Sequence, residues 1–248
     1  MTLTLEELRA CPLCNSTAPF GERDSAPDRL LALLREVAPE LAFAADDLEN
    51  RRVACPACGF VFLSPRLDPS SLVAVYSAWY RHGYREIFDD PHHISERERV
   101  FRRYHLALLS PHVSCGGRLL DIGCGSGVFL NVAREAGWRS VVGIEFDETA
   151  ASFARFSYAL EVRQGTIHDS VHGDERFDAI TMFDYLEHSG EPGRELDRAV
   201  ALLADEGVLA LRLPNQGGWL SRLTGARWYN VISNHLGYFD ERVLADAL

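Results

Sequence analysis

The sequence predicts an α/β fold built on a parallel sheet and preceded by a small cysteine-held module. Three observations carry this. Arg118–Gly127 reads as a buried strand that holds an acid, Asp121, and turns through Gly123, Gly125 and Gly127 into the helical apolar spacing of Val128–Ala136. A second apolar strand, Ser140–Glu145, closes on an acid 22 positions after Gly123. Two Cys-x-x-Cys pairs, Cys11/Cys14 and Cys55/Cys58, have 40 residues between them near the N-terminus.

At 248 residues the chain is long enough for one sizeable core and a small accessory module. Its 47% hydrophobic and 25% charged content is ordinary for a soluble globular protein. The net charge of −11 argues against a nucleic-acid partner, because phosphate contacts need a basic surface. All 25 basic residues are arginine, so a lysine-dependent phosphate cradle is excluded. No signal peptide and no apolar run of membrane-spanning length is found; no membrane partner is expected, and the cytoplasm is the expected compartment. Oligomeric state leaves no mark on the sequence.

Residues 1–66 read as one module. Each Cys-x-x-Cys turn aims two thiolates at one point, and two turns supply the four ligands of tetrahedral Zn²⁺. Pro12, Pro56 and Gly59 suit such turns. A cytoplasmic chain favours metal over a disulfide, with a redox pair as the competing reading. Four protein ligands leave no open coordination position, so a zinc on Cys11, Cys14, Cys55 and Cys58 is structural. A helix is predicted over Pro27–Val37, and short strands at Arg52–Ala54 and Phe60–Leu63. The run Cys-Pro-Ala-Cys-Gly-Phe-Val-Phe-Leu-Ser-Pro-Arg, continuing through Asp68-Pro69-Ser70-Ser71-Leu72 to Tyr76, resembles the zinc ribbon that precedes many bacterial methyltransferase domains.

Residues 67–112 form a helical linker or lid. Asp68 can cap a helix that has Pro69 at its first position, with Leu72, Val75, Tyr76 and Trp79 on one face. A second helix is predicted over about Ser95–Leu109, with Val100, Phe101, Tyr104 and Leu108 as its apolar stripe. Between them, Tyr80-Arg81-His82-Gly83-Tyr84 is either a surface loop or a lid over cofactor or acceptor.

Residues 113–248 carry the chemistry. Glycines tolerate positive φ and let a ligand approach without a Cβ in the way, while the following helix N-terminus offers amide donors and partial positive charge. An acid about 20 residues on accepts hydrogen bonds from ribose hydroxyls, a role that falls to Glu145. Val128 stands where the dinucleotide fingerprint G-x-G-x-x-G/A wants its last small residue, so nicotinamide is disfavoured. Leu-Leu-Asp-Ile-Gly-Cys-Gly-Ser-Gly (119–127) followed by Val-Gly-Ile-Glu (142–145) resembles the first two motifs of class I S-adenosylmethionine-dependent methyltransferases. The resemblance implies a Rossmann-like parallel sheet, with S-adenosylmethionine over Gly123, Gly125 and Gly127, Asp121 near its amino-acid end, and Glu145 and the adjoining Phe146 along the ribose and adenosine. Cys124 is counted with this loop, its small side chain being read as packing.

A helix over Glu148–Ala159 and a third strand over Glu161–Gly165 follow. The next turn should lie near the adenine, because ligands bind beyond the carboxyl ends of the strands. Asp169 is its candidate acid and Ile167 offers an amide or an apolar contact. The fourth strand, Phe177–Asp184, runs into Leu186-Glu187-His188, which resembles the end of strand four in ubiquinone-type O-methyltransferases. His188 is thereby a candidate general base, with Glu187 beside it; a capping or packing histidine is the alternative. Some relatives hold a divalent ion through two acids and the histidine, here Asp184, Glu187 and His188, where hard carboxylates would suit Mg²⁺. Asp184 is counted among the cofactor contacts as well.

A helix over Pro192–Leu203 and a fifth strand over Gly207–Leu213 complete the pattern. The resemblance extends to Pro214-Asn215, with Asn215 facing the acceptor, and to Asn234-His235-Leu236-Gly237-Tyr238-Phe239. Trp228, Tyr229 and His235 either wall the acceptor pocket or pack as a hydrophobic loop. Two further strands that such a domain ordinarily adds are missing after residue 248, which leaves strand five as an edge. The expected activity is O-methylation of a small molecule or sugar by in-line displacement at a sulfonium, with catalysis from positioning and water exclusion. Methylation of RNA or protein guided by the zinc ribbon, or a non-catalytic cofactor- or partner-binding module, are the alternatives. The acceptor is set by loops that vary without changing the fold.

Overall fold

A computed structural model describes residues 2–27, 38, 41–43, 49–83, 96–172 and 174–248. Beyond Pro27, the helix predicted over Pro27–Val37 lies outside the described residues, as do Tyr84 and Ser95. The chain forms two compact units: Met1–His82, Leu186–Leu196 and Leu213–Leu248 make the first, Gly83–Tyr185 and Asp197–Arg212 the second.

The N-terminal stretch carries β1 (Thr2–Leu3), β2 (Leu5–Glu6), β3 (Gly21–Pro27), β4 (Ala42–Phe43), β5 (Glu49–Ala54), β6 (Val61–Leu63), β7 (Arg66–Leu67) and α1 (Pro69–Gly83). The central stretch carries α2 (Glu96–Leu109), β8 (Arg118–Ile122), α3 (Val128–Glu135), β9 (Ser140–Glu145), α4 (Glu148–Tyr158), β10 (Glu161–Gln164), α5 (Ile167–Ser170) and β11 (Phe177–Phe183). After a 3₁₀ turn at Leu186–His188 come α6 (Pro192–Ala201), β12 (Leu203–Arg212), α7 (Trp219–Thr224), β13 (Gly237–Tyr238) and α8 (Glu241–Asp246).

The second unit is the predicted Rossmann-like sheet. Its five strands run parallel in the order β10-β9-β8-β11-β12. Strand order reverses beside β8, so the glycine loop leaves the sheet at the topological switch point, where such folds bind ligands. The central strands are nearly continuous apolar runs: Leu119, Leu120, Ile122, Ala179, Ile180 and Met182 are all buried, as sheets covered on both faces require. Phe129, Leu130 and Ala133 of α3 and Ala151 and Ala154 of α4 share one core cluster with Leu119 and Ala179.

Two expectations are corrected here. The fifth strand is longer than predicted, Leu203–Arg212, and shifts register between Phe177 and Ala179 on its partner. On α2 the buried residues are His105 and Leu109, whereas Val100 and Leu108 are each 54% exposed and Tyr104 is 61% exposed. Apolar spacing located the helix but misjudged its inner face. Phe101, Tyr104 and Leu108 instead border a groove of about 560 Å³ that Phe183 and Val208–Arg212 complete.

The first unit is built around an antiparallel sheet in the order β13-β6-β5-β3. The strands beside the second cysteine pair are those the sequence predicts, but the fourth comes from the far end of the chain: Gly237 and Tyr238 pair with Phe62 and Val61. Gly237 and Tyr238 of the Asn234–Phe239 motif are thus a strand of this sheet. Trp228 and Tyr238 share a buried cluster with Val61, Leu63 and Val231, while Tyr229 is exposed. Arg52, on β5, is buried; its guanidinium donates to both oxygens of Asp24, at 2.6 and 2.5 Å, and lies 5.1 Å from the Tyr238 ring centre. Asp68 caps α1 as expected, its carboxylate accepting from the Ser71 amide at 2.8 Å.

Candidate functional site

The glycine loop is held in shape by its own backbone. Gly123, Gly125 and Gly127 have φ of +74°, +53° and +78°, the region where a Cβ is strained. The amides of Gly123 and Cys124 donate to the Ile144 carbonyl at 2.8 and 3.0 Å, tying the loop to β9. At Gly127 a Cβ would lie 2.8 Å from both Ala154 Cβ and Leu160 Cδ1, so α4 can approach only a glycine. Cys124 is buried, and a Cβ on Gly143 would lie 2.6 Å from its sulfur, which makes the thiol a packing group.

Two acids border this loop. Asp121 is buried and accepts a hydrogen bond from the Thr181 hydroxyl at 2.6 Å. Burial raises its pKa to about 7, against the lowering effect of that hydrogen bond. A ligand ammonium would restore the solvation this carboxyl has lost, which fits the amino-acid end of S-adenosylmethionine. Glu145 is buried too, and burial raises its pKa. Its Oε2 accepts from the Gly125 amide at 2.8 Å and its Oε1 from the Asp147 amide at 2.9 Å. The Phe146 backbone also hydrogen-bonds Glu145, and since a carboxylate has about four acceptor positions, about one is left for a ribose hydroxyl.

The other expected contacts are placed as follows. Phe146 is half-exposed beyond β9. Ile167 begins the one-turn α5 with its side chain wholly buried, which leaves only its backbone to offer a ligand. Asp169 is exposed and accepts from the Thr166 hydroxyl at 2.7 Å. Asp184, at φ +54°, pairs with the Arg212 guanidinium, which itself lies 4.7 Å from the Phe101 ring centre. Asn215 turns its amide oxygen to the Gly217 amide at 2.8 Å.

The expected catalytic pair lies in the first unit, in the 3₁₀ turn. Glu187 is buried, and its carbonyl accepts from the Leu236 amide at 2.7 Å. His188 Nδ1 lies 2.7 Å from the Asn234 carbonyl; a carbonyl only accepts, so Nδ1 carries the proton and Nε2 keeps its lone pair. His235 is buried, its ring centre 4.7 Å from that of His188, and it hydrogen-bonds the Asn230 backbone. Burial lowers the pKa of His188 to about 4 and that of His235 to about 3, so both rings are neutral above that range. Ligand atoms of Glu187, His188 and His235 lie within 4.8 Å of one another. The expected Mg²⁺ set of Asp184, Glu187 and His188 is not supported: Asp184 pairs with Arg212, and the third side chain near Glu187 and His188 is His235. The sequence displayed His235 in a motif but gave no sign that it meets His188.

The four cysteines of the first unit converge. Cys11 and Cys58 sulfurs are 3.8 Å apart, Cys14 and Cys55 sulfurs 3.7 Å, and all four lie within 4.8 Å of one another. Four thiolates about 2.3 Å from Zn²⁺ stand about 3.8 Å apart along each tetrahedral edge. A disulfide would need about 2.05 Å. The two turns are also alike in backbone: Asn15 and Gly59 amides donate to the Cys11 and Cys55 carbonyls, and Cys11 and Cys55 amides donate to the Ser16 and Phe60 carbonyls, all at 2.9 Å. Asn15 and Gly59 both take positive φ, +59° and +78°.

Residues 92–248, more than half of the chain, match the family model described as a methyltransferase domain. The chain belongs to this family. It is an S-adenosylmethionine-dependent methyltransferase of class I, and the Rossmann-like sheet and loop are those of that class. The methyltransferase is 34% identical over 104 residues to a ubiquinone biosynthesis O-methyltransferase of Actinobacillus pleuropneumoniae, covering 38% of this chain and 44% of the relative. It is 31% identical over 122 residues to one of Alkalilimnicola ehrlichii, covering 46% of this chain and 49% of the relative. The chain thus spans about half the length of the curated relatives it matches. The plantazolicin methyltransferase BpumL, solved with a monoazolic desmethylPZN analogue and SAH, superposes with a TM-score of 0.51 at 17% identity, over 71% of this chain and 73% of that one, a likeness of fold. Among the described residues no helix is long and apolar enough to cross a membrane.

Proposed function

We propose that this methyltransferase transfers its methyl group to a hydroxyl oxygen of a small molecule. The observation that carries the reading is the similarity to curated O-methyltransferases at about one-third identity. The net charge of −11 supports a small acceptor over RNA. In this reading Gly123, Cys124, Gly125 and Gly127 form the cradle, Asp121 takes the donor's ammonium group, and Glu145 holds both the loop and the ribose. Phe146, Ile167, Asp169 and Asp184 are the remaining proposed cofactor contacts. The chain's own part in the reaction is to orient donor and acceptor for in-line attack and to exclude water. We assign the four-cysteine centre a structural Zn²⁺, bound by Cys11, Cys14, Cys55 and Cys58, which holds β3, β5 and β6 around the two turns.

The test is transfer of labelled methyl from S-adenosylmethionine to a panel of phenolic, catecholic and sugar hydroxyls, with RNA and protein acceptors alongside. Label on a small-molecule oxygen, identified by mass spectrometry, is the expected result. Label only on RNA or protein overturns the acceptor class.

A further inference from the structure

We propose that Thr181 is a positioning residue for the methyl donor, its hydroxyl fixing one oxygen of Asp121 so that the other is presented to the α-ammonium of S-adenosylmethionine. The inference rests on the reading of Asp121 as the donor's ammonium contact. No sequence motif points to Thr181, which lies inside the strand Phe177–Phe183.

A hydroxyl at this place needs a reason. Thr181 is wholly buried, as are Ile180 and Met182 on either side of it. Valine would fill the same position with no polar group to satisfy, and a buried hydroxyl is costly unless it is bonded. The register of β11 on β8 sets Thr181 directly beside Asp121, while the β9 partner of Asp121 is Gly143, which has no side chain. Of the two strands that flank Asp121, β11 alone therefore offers it a side chain at that level. The Thr181 hydroxyl lies 2.6 Å from Asp121 Oδ1 and 3.4 Å from the Leu120 carbonyl. It has one proton to give, and the shorter bond, to a group that ionises, takes it. A β-branched side chain has little freedom about χ1, so the direction of that bond is fixed. Among the described residues Asp121 Oδ2 has no hydrogen-bond partner, which leaves it for a cation.

The same bond favours the ionised acid that an ammonium needs. Burial pushes the Asp121 carboxyl up to about 7, Glu145 on β9 pushes the same way, and the Thr181 hydroxyl and Arg102 of α2 oppose them. The Cys124 thiol in the adjoining loop is itself held neutral by burial and by these two acids. Removing the hydroxyl leaves burial less opposed, so the carboxyl ionises only at higher pH. Below that pH less of the protein can bind the donor.

Calorimetry on the full chain from pH 5.5 to 8 tests this with two ligands: S-adenosylmethionine, and 5′-methylthioadenosine, which keeps the adenosine and lacks the amino-acid end. In Thr181→Val the affinity for S-adenosylmethionine at pH 6.5 should fall roughly tenfold, and its rise with pH should move up by about one pH unit. Affinity for methylthioadenosine should stay within about twofold, which also reports that the loop is folded, and Thr181→Ser should restore the parent profile. Asp121→Asn should weaken S-adenosylmethionine and flatten the rise. An effect of Asp121→Asn with none from Thr181→Val overturns the role of Thr181 and leaves Asp121 in place. Equal loss of both ligands in Thr181→Val, or a Thr181→Ser variant as weak as the valine, overturns it in favour of a packing role. An Asp121→Asn variant that binds S-adenosylmethionine as the parent does removes the ammonium contact itself, and the proposal with it.

Discussion

Asp121 shows at single-residue scale how a buried acid beside the glycine loop is held at the expense of stability. An unfolded aspartate ionises near pH 4, whereas burial moves the folded one to about 7. Between those values the unfolded chain is stabilised by ionising while the folded one is not. The contribution of Asp121 to stability is therefore largest below pH 4 and falls as pH rises toward 7. Asp121→Asn keeps an acceptor for Thr181 and removes the ionisation. The variant should gain on the order of 2–4 kcal/mol over the parent at pH 8, with the difference vanishing below pH 4 in thermal melts. Calorimetry should at the same time show weaker S-adenosylmethionine binding. A parent and variant of equal stability at pH 8 would remove the buried-acid reading. Glu145 was legible as an acid closing β9, but its hold on the Gly125 amide was not, because that bond depends on where β8 and β9 bring the loop.

At the scale of elements, the strand-loop-helix unit was readable because local chemistry dictates it. Three glycines at alternate positions demand positive φ, and the apolar runs on either side leave no other arrangement. The packing reason for Gly127 lay in Ala154 of α4 and in Leu160 just beyond that helix, which close on it. Gly127→Ala should destabilise the protein by about 2 kcal/mol through combined strain and overlap, measured by denaturant titration. A loss below about 0.5 kcal/mol would show that α4 yields easily. The α2 helix was equally legible in length, yet its inner face was not. The spacing of Val100, Phe101, Tyr104 and Leu108 satisfied the helical period, and only the position of the sheet decided that His105 and Leu109 turn inward. Among the described residues β12 pairs with β11 alone, so those aromatic side chains border a groove instead of a core.

Over the whole molecule, the chain leaves and re-enters each unit, and the first is assembled from three separated stretches. The sheet beside the cysteine turns thus depends on residues near the C-terminus. A Cβ on Gly237 would lie 2.5 Å from Phe60 Cζ, and the Phe60 carbonyl holds the Cys55 amide. Gly237→Val should therefore speed loss of the zinc we assign to the four-cysteine centre to a chelator by roughly tenfold, although the substitution lies far from every cysteine in sequence. Unchanged zinc loss would separate β13 from the metal centre. The sequence by itself determined the parallel sheet, the glycine loop and the four-cysteine set, because each follows from residue types at short spacings: glycines at a turn, an acid at a strand end, thiols with two residues between them. Tertiary structure alone decided that β13 completes the N-terminal sheet, that Asp184 pairs with Arg212, and that His235 meets Glu187 and His188. Those are encounters between residues distant along the chain, and local spacing carries no record of them.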